Sequence, residues 1–308
     1  MKKLVSTLHL DHKEWLKYRK QGIGGSDAGA VCGLNPYRTA MQVYYDKISD
    51  DIEENDNEAM RQGRELEEYV AKRFSEATGK KVRRANAMYC DEKNPFMLAD
   101  VDRMIVGENA GLECKTASPY MEEKWRDGKI PLSYQIQCYH YMSVCNAQAW
   151  YIAVLIYGKD FIFRRIDRDE QVIADLLRIE KEFWQEHVMK KVLPDPDGSR
   201  TADAVIAERF REARGAVIPL AGFDDRLRRR QEILELMDRM ETEKRKIDQE
   251  LKLYLGEAET AENENFRVSW KNVSRSSLDE KRLKEEHPEI YAEYRKETSS
   301  RRFTVRAA

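Results

Sequence analysis

Three charged residues near the middle of the chain have the types and spacing that phosphodiester hydrolysis requires. The segment Phe96 to Ala117 predicts two strands joined by a turn at 107–111. Asp102 lies on the first predicted strand, and Glu113 and Lys115 lie two residues apart on the second. Because successive side chains of a strand alternate between its faces, Glu113 and Lys115 share one face. A hairpin can place Asp102 beside them, so that two carboxylates and one ammonium converge.

This trio suits a metal-dependent reaction on phosphate. Mg²⁺ prefers oxygen ligands and takes phosphate oxygens beside the water molecules that it keeps. It stabilises charge that develops on phosphate, and it lowers the pKa of an attacking water. Lys115 can orient that water or neutralise the phosphate, and the carbonyl of Cys114 offers a further ligand. An ordinary surface hairpin with alternating charges is the alternative, and the short spacing does not decide between the two.

A second candidate site lies near the N terminus. The segment 11–20 predicts a short helix capped by Asp11, and 22–27, GIGGSD, ends it and begins another helix. Glycines and a Ser hydroxyl at a helix start can approach a phosphate, which the helix terminus also favours. Arg19 can fold back over Ser26, seven residues later. Simple N-capping by Ser26 is the alternative.

Two further predicted helices carry polar side chains of interest. Glu67, in a helix predicted over 58–78, lies one residue from the apolar stripe and therefore at the core boundary. Gln137 and Tyr141 are four residues apart in a helix predicted over 133–145, so they share a face. The amide can hydrogen-bond a catalytic carboxylate or a metal-bound water, and the phenol can support the lysine of the trio or contact DNA. A half-buried amphipathic helix is the alternative.

The remaining pattern alternates strands and helices as far as a Pro- and Asp-rich segment at 193–198, which marks a boundary. The elements predicted before it are a strand at 81–90, a helix at 118–127, a hairpin at 147–166 and a long helix at 170–191. Those predicted after it are a helix at 201–212, a long charged helix at 224–255, a strand at 265–273, a helix at 278–286 and a strand at 302–305.

Composition narrows the classes of protein that this chain can represent. Of the 308 residues, 36% are charged and 41% hydrophobic, and the net charge of −2 gives no global positive field for nucleic acid. A DNA-binding surface must therefore be a local patch. The five cysteines form no CxxC pair, which favours free thiols in a reducing cytoplasm. We expect no signal peptide and no membrane contact, because the chain starts with a charged segment and has no long apolar run.

Four stretches, in order, resemble the YqaJ-type viral recombinase nucleases, which are relatives of phage lambda exonuclease within the PD-(D/E)xK superfamily. The stretches are WLKYRKQGIGGSDAGAVCGLNPY (15–37), GRELEEYVA (63–71), MLADVDRMIVGENAGLECKT (97–116) and QCYHYM (137–142). The resemblance implies an α/β (α+β) restriction-endonuclease-like core, with a central mixed sheet flanked by helices and a helical C-terminal extension. The expected domains are a nuclease domain at 1–195, a linker with a short helix at 196–220 and an extension at 221–308.

The resemblance also implies a role for each candidate residue. It implies metal binding by Glu67, Asp102, Glu113 and the Cys114 carbonyl, catalysis by Asp102, Glu113, Lys115, Gln137 and Tyr141, and a grip on the terminal 5′-phosphate by Arg19 and Ser26. The sequence departs from the family at Val101, where the superfamily has Pro. Asp100 shares the predicted strand face of Asp102, and the motif register selects Asp102 as the metal ligand.

The implied activity is that of a phage recombination enzyme. It is a Mg²⁺-dependent (Mn²⁺ possible), 5′→3′ exonuclease that resects linear double-stranded DNA and leaves 3′ overhangs for an annealing protein. The resemblance also suggests a trimeric ring around DNA, phage or prophage origin and the cytoplasm of a bacterial host. We expect no iron–sulfur cluster, since no cysteine follows Cys145 to complete a four-Cys set. A structure- or site-specific endonuclease and a non-catalytic DNA-end-binding protein remain the alternatives.

Overall fold

The computed structural model describes residues 1–50, 57–297 and 299–306, and the chain divides into two compact units, Met1–Phe210 and Arg211–Ala308. The helices of the first unit are α1 (His12–Lys20), α2 (Gly25–Val31), α3 (Ala40–Ile48), α4 (Glu58–Thr78), α5 (Leu132–Cys145), α6 (Glu170–Glu182) and α7 (Arg200–Arg209). Its strands are β1 (Lys2–Ser6), β2 (Ile23–Gly24), β3 (Val82–Arg84), β4 (Ala87–Cys90), β5 (Met97–Asp100), β6 (Arg103–Ile105), β7 (Ala110–Ala117), β8 (Ala149–Ile156) and β9 (Asp160–Asp167).

A five-stranded mixed sheet forms the centre of the first unit, in the order β3-β6-β7-β8-β9. β7 and β8 are parallel and α5 connects them, whereas the other pairs are antiparallel. β8 alternates its side chains between two cores: Trp150 and Ile152 pack towards α5, and Tyr151 packs towards Phe74 of α4. The predicted fold class, a central mixed sheet flanked by helices, is confirmed.

The strand predicted from Phe96 to Val106 is interrupted at 101–102, and this differs from the prediction. β5 pairs with β4 and β2 in a four-stranded sheet, whereas β6 pairs with β3 and β7 in the central sheet. The strand predicted at 81–90 divides in the same way around Asn86, whose φ is +52°. Asp102 therefore lies at a junction between two sheets and not within a strand.

The helices that flank the sheet follow their local signals closely. Asp11 caps α1 by accepting the backbone N–H of Glu14 at 2.8 Å, as predicted. α4 spans the predicted residues and ends at Gly79, whose φ of +70° suits a glycine. The helix predicted at 118–127 is a shorter 3₁₀ segment, Pro119–Lys124. α6 continues as a π-helical segment, Phe183–Met189.

The second unit contains the long helix α8 (Asp224–Leu255), strands β10 (Thr260–Glu262) and β11 (Arg267–Ser269), and helices α9 (Glu280–Glu286) and α10 (Pro288–Tyr294). β10 and β11 form an antiparallel hairpin. The prediction of a strand at 302–305 is wrong, because these residues have no regular structure. The first unit extends to Phe210 and includes α7, which packs on α3 with the Arg209 guanidinium over the Tyr45 ring. Among the described residues, no helix is both long and apolar enough to cross a lipid bilayer.

Candidate active site

The junction between β5 and β6 turns the Asp102 side chain towards β7. Its Oδ2 accepts the backbone N–H of Cys114 at 2.7 Å, so the carboxylate lies beside Glu113. Asp100 faces elsewhere, since its Oδ2 accepts the indole N–H of Trp15 at 2.5 Å. The two aspartates, which the sequence could not separate by strand face, therefore have different partners.

Glu113 is buried on β7, and its two carboxylate oxygens have different surroundings. Oε1 accepts a hydrogen bond from the Lys115 ammonium at 2.5 Å and another from the Gln137 amide at 2.7 Å. Oε2 is buried and has no hydrogen-bond partner among the described residues. A buried carboxylate oxygen without a partner is costly, so this atom calls for a ligand that the chain itself does not supply.

Tyr141 supports this arrangement from below the surface. It is 5% exposed; its hydroxyl accepts from the Gln137 amide at 3.1 Å and donates to the Asp100 carbonyl at 3.1 Å. This placement differs from the predicted contact with Lys115 or DNA. The ring over which the Lys115 ammonium lies, 4.9 Å from its centroid, belongs to Tyr134.

Glu67 reaches the same region from α4, where its carboxylate accepts a hydrogen bond from Arg103. Arg103 is 3% exposed and also donates to the Asp102 carbonyl at 2.7 Å and to Glu68 at 2.9 Å. Arg103 is not among the residues predicted from the sequence. The signal was available, because Arg103 follows Asp102 directly and a cation beside clustered acids is expected to bind them.

Crowding of acids perturbs the site electrostatically. Burial, followed by the charges of Glu113 and Glu67, raises the pKa of Asp102 well above its ordinary value. Burial also raises the pKa of Glu113, against the opposing effect of Lys115. Burial alone would lower the pKa of Lys115, but the adjacent Glu113 carboxylate raises it overall. The ammonium therefore stays charged at neutral pH. Its single positive charge does not neutralise the neighbouring carboxylates.

The carboxylate oxygens of this site are the ligand type that a hard divalent cation prefers. In this structure each of the three carboxylates accepts a hydrogen bond from a protein group. Within the residues that the structure describes, no three His, Cys, Asp or Glu side chains are arranged to hold a metal ion as they stand. Asp102, Glu113 and Glu67 nevertheless supply the oxygen ligands that Mg²⁺ prefers, and Glu113 Oε2 is one such oxygen with no hydrogen-bond partner in the described ranges. Burial, together with neighbouring carboxylates, raises the pKa of Asp102 and Glu113, and a dication beside them would favour their charged forms.

Arg19, at the end of α1, and Ser26, in the first turn of α2, lie in direct contact. Arg19 Nη2 donates to Ser26 Oγ at 2.8 Å and to Asp27 Oδ1 at 3.3 Å. The Arg19 guanidinium also lies over the Trp15 ring, 4.9 Å from its centroid. Ser26 is exposed, so an anion could reach this pair from solvent.

Asp27 is the centre of an ionic cluster that was not predicted from the sequence. It has no exposed surface; its Oδ1 accepts from both Arg19 and Arg38, and its Oδ2 accepts from the Lys47 ammonium at 2.8 Å. Burial would raise the pKa of Asp27, but the Lys47, Arg38 and Arg19 charges lower it far below its ordinary value. An acid among the small residues GSDAGA was the available signal, since such a helix is expected to be buried.

Asp100 lies between the two groups of residues. Burial raises the pKa of Asp100 above its ordinary value. The Trp15 hydrogen bond and the Arg19 charge oppose this shift, and the Glu67 charge adds to it. Its Oδ2 accepts from Trp15, whose ring lies against the Arg19 guanidinium, and its backbone carbonyl accepts from the Tyr141 hydroxyl, which in turn accepts from the Gln137 amide. The basic cluster and the carboxylates accordingly belong to one continuous region of the first unit.

The residues of this site lie within a region that matches a known protein family. A family model described as the YqaJ-like viral recombinase domain matches residues 14–148. A Bacillus subtilis (strain 168) protein named YqaJ, itself uncharacterized, is 36% identical, and the match covers 98% of this chain and 97% of that protein.

Two solved structures share the fold. One is an alkaline exonuclease (LHK-Exo) from Laribacter hongkongensis, with a TM-score of 0.51 and 18% identity over 65% of this chain and 99% of that one. The other is LHK-Exo in complex with dAMP, with a TM-score of 0.50 and 20% identity over 64% of this chain and 96% of that one. At these identities the likeness shows a shared fold for most of the first unit.

Proposed function

The chain belongs to the YqaJ-like viral recombinase family, and from this membership and its carboxylate site we propose that it is a DNA exonuclease that requires a divalent metal ion. It degrades linear double-stranded DNA from 5′ to 3′ and leaves a 3′ single-stranded overhang for an annealing protein. The alkaline exonuclease with the same fold supports the assignment to nucleases.

One observation carries this proposal: Glu113 Oε2, which has no hydrogen-bond partner in the described part of the chain, lies in a cluster of three acids beside a lysine. Asp102, Glu113, Glu67 and the Cys114 carbonyl are the proposed ligands of Mg²⁺ or Mn²⁺. Bound there, the ion would supply charge stabilisation at the phosphate and an acidified water. An ordinary surface hairpin would leave this carboxylate in contact with water, whereas Glu113 is 3% exposed.

The chain's own side chains then position the reactants. Lys115 keeps its proton, and its ammonium can neutralise the scissile phosphate or orient the attacking water. The Gln137 amide donates to Glu113 Oε1 and so holds the orientation of this carboxylate, which leaves Oε2 for the metal ion. Tyr141 in turn fixes Gln137 and the end of β5. Such preorganised groups act on phosphate mainly by position and electrostatics.

Arg19 and Ser26 are the proposed anchor for the terminal 5′-phosphate. A guanidinium and a hydroxyl 2.8 Å apart can donate to the same phosphate group. LHK-Exo, which shares this fold, was solved in complex with dAMP. A nucleoside monophosphate of this kind is what exonucleolytic hydrolysis releases. Anchoring of the 5′ end would place the first phosphodiester at the carboxylates.

Other parts of the proposal concern the setting of the enzyme. We place it in the cytoplasm of a bacterial host, encoded by a phage or prophage, with double-stranded DNA ends and an annealing protein as partners. A trimeric ring is the proposed assembly. Because the net charge is −2, contact with DNA relies on local cations such as Arg19.

A cleavage assay with three DNA forms tests the proposal. Linear, nicked and covalently closed circular duplexes, each strand end labelled, are incubated with Mg²⁺ or with EDTA. We expect Mg²⁺-dependent loss of 5′ label from linear DNA, no attack on the closed circle, and no activity in Asp102→Asn. Cleavage of the closed circle would identify an endonuclease, and binding of ends without cleavage would identify a non-catalytic end-binding protein.

A further inference from the structure

The cations around Asp27 are more numerous than a single ion pair needs. Arg19, Arg38 and Lys47 all contact this one buried carboxylate, and Asp46 is the second acid of the cluster. The group therefore keeps an excess of positive charge. Burial of such an excess is unfavourable unless solvent or an anion compensates it.

The three cations differ in what they can reach. The Lys47 side chain is fully buried, and its ammonium donates to Asp27 at 2.8 Å and to the Arg19 carbonyl at 2.9 Å, so its charge serves the interior. The side chains of Arg19 and Arg38 are 24% and 29% exposed. The two guanidiniums are thus the cluster's cations that remain open to a ligand.

Asp27 places these two guanidiniums side by side. Its Oδ1 accepts from Arg19 Nη2 and from Arg38 Nη1, while Oδ2 is held by Lys47 and by the backbone N–H of Gly24 at 3.2 Å. Because all four bonds converge on a carboxylate without exposed surface, its orientation is strongly constrained. The carboxylate thereby sets the positions of both forks.

Arg38 has donors beyond those in its ion pairs. A guanidinium carries five N–H groups, and the bonds to Asp27 and to Asp46 at 3.1 Å engage one on each terminal nitrogen. Its planar fork matches phosphate oxygens as it matches carboxylates. Ser26, exposed and bonded to the neighbouring Arg19, adds a hydroxyl to the same place.

We propose that Arg38 is a second phosphate-binding guanidinium and that Asp27 is the positioning residue that aligns it with Arg19, so that the pair selects a terminal phosphomonoester over an internal phosphodiester. A terminal phosphate carries close to two negative charges at neutral pH, whereas a diester carries one. Two adjacent guanidiniums match the former. This inference rests on the proposed anchor at Arg19 and Ser26 and adds the residues that give it its charge selectivity.

Binding without catalysis tests the inference. The full-length protein is titrated in EDTA against a short blunt duplex that carries either a 5′-phosphate or a 5′-hydroxyl, and fluorescence anisotropy gives the ratio of the two dissociation constants. We expect Arg38→Gln to reduce the wild-type preference for the phosphate by roughly tenfold, since a charge-assisted hydrogen bond is lost. Arg38→Lys, which keeps the charge without the fork, should recover part of it.

Further variants separate position from charge and from folding. Asp27→Asn should lose as much phosphate preference as Arg38→Gln; if it does not fold, the two Arg38 variants still decide the matter. Arg178→Gln, at an exposed arginine of α6, is the matched control and should leave the ratio unchanged. The preference should also fall between about pH 7 and pH 5, as the phosphate takes up its second proton.

The outcomes distinguish this inference from the proposed function. If Arg19→Gln loses the preference while Arg38→Gln keeps it, the second guanidinium is refuted and the anchor stands. If the wild type shows no preference, both the anchor and the inference fail, whereas cleavage of linear DNA can still hold. If Arg38→Gln weakens binding to both duplexes equally, Arg38 contacts DNA without selecting its end, and the inference is again refuted.

Discussion

Glu113 combines two conditions in one side chain. One oxygen accepts hydrogen bonds from Lys115 and Gln137, and the other is buried with no partner within the residues that the structure describes. In an ordinary core such an atom lowers stability by about 1–3 kcal/mol. A ligand that bound this oxygen would remove that cost, and an ion or a catalytic role is one of the explanations that such a buried group calls for.

Glu113→Gln keeps the volume and most hydrogen bonds of this residue while it removes one charge. We expect the rate of Mg²⁺-dependent DNA degradation to fall by at least about a hundredfold, because a metal ligand and the partner of Lys115 are both weakened. The measurement is loss of labelled linear duplex under single-turnover conditions. Glu76→Gln, at an exposed site on α4, is the control. Full activity of Glu113→Gln would contradict the assigned role.

At the scale of elements, α2 and α5 approach closely because glycines face α5. A Cβ at Gly25 would lie 2.5 Å from Cε1 of Tyr141, and one at Gly29 would lie 3.1 Å from Ser133. The ring of Tyr141 is packed in the core and cannot move aside freely. The helix that carries Ser26 is thus placed directly on the residue that supports Gln137.

Gly25→Ala should lower the free energy of unfolding by roughly 1–3 kcal/mol, since the added methyl group overpacks the contact with Tyr141. Gly63→Ala is the matched control of opposite sign. Gly63 lies inside α4, and the nearest atom to its Cβ would be Thr116 Oγ1 at 3.9 Å. Ala should therefore stabilise that helix by about 0.5–1 kcal/mol. Urea unfolding measures both, and equal changes would argue against the close packing of α2 on α5.

A buried pair of His140 and Glu180 connects three elements of the first unit. Both residues have no exposed surface; the ring nitrogens of His140 lie 2.7 Å from Glu180 Oε1 and 2.8 Å from the Leu98 carbonyl oxygen. Two acceptors for two nitrogens favour the imidazolium. Burial lowers the pKa of His140, but Glu180 raises it above 6.5 overall. The charged ring joins α5 and α6 to β5.

Stability should therefore depend on pH through His140. Because its pKa is raised in the folded state, its contribution is fully present below the unfolded value of about 6.5 and is lost as pH rises through the folded value. Relative to His140→Gln, the wild type should lose its advantage in free energy of unfolding as the pH rises above about 6.5. Urea titrations across this range measure the difference. His9→Gln, at an exposed histidine outside this pair, is the control.

At the scale of the whole molecule, the chain consists of two units joined by an exposed segment. Residues 211–223 have no regular structure, and all of their side chains are exposed. α8, which follows, has its backbone hydrogen-bonded within the helix. Protease sensitivity should accordingly concentrate between α7 and α8.

Limited trypsin digestion should produce its first internal cut at Arg211 or Arg214. Mass spectrometry of the early products is expected to find a fragment that ends there and a complementary one that contains α8. The experiment also tests the proposed domain boundaries at 195 and 220. First cuts within α4 or the central sheet would contradict the division of the chain.

The sequence alone determined those features that local signals encode. The N-cap of α1, the full span of α4 and the hairpin of β8 and β9 follow from capping residues, periodicity and turn residues close together in the chain. The ordered motifs at 15–142 were sufficient for the fold class. The spacing of Glu113 and Lys115 also predicted their shared face, because alternation is a property of a single strand.

Only the tertiary structure decided which side chains meet across the chain. It separated Asp100 from Asp102, buried Tyr141, and joined Glu67 to Arg103, 36 residues away. The cluster around Asp27 likewise draws on α1, α2, α3 and the turn before α3. Burial and charge pairing depend on elements distant in sequence, whose packing no local pattern encodes, and so the partners that set these charges appear only in the folded chain.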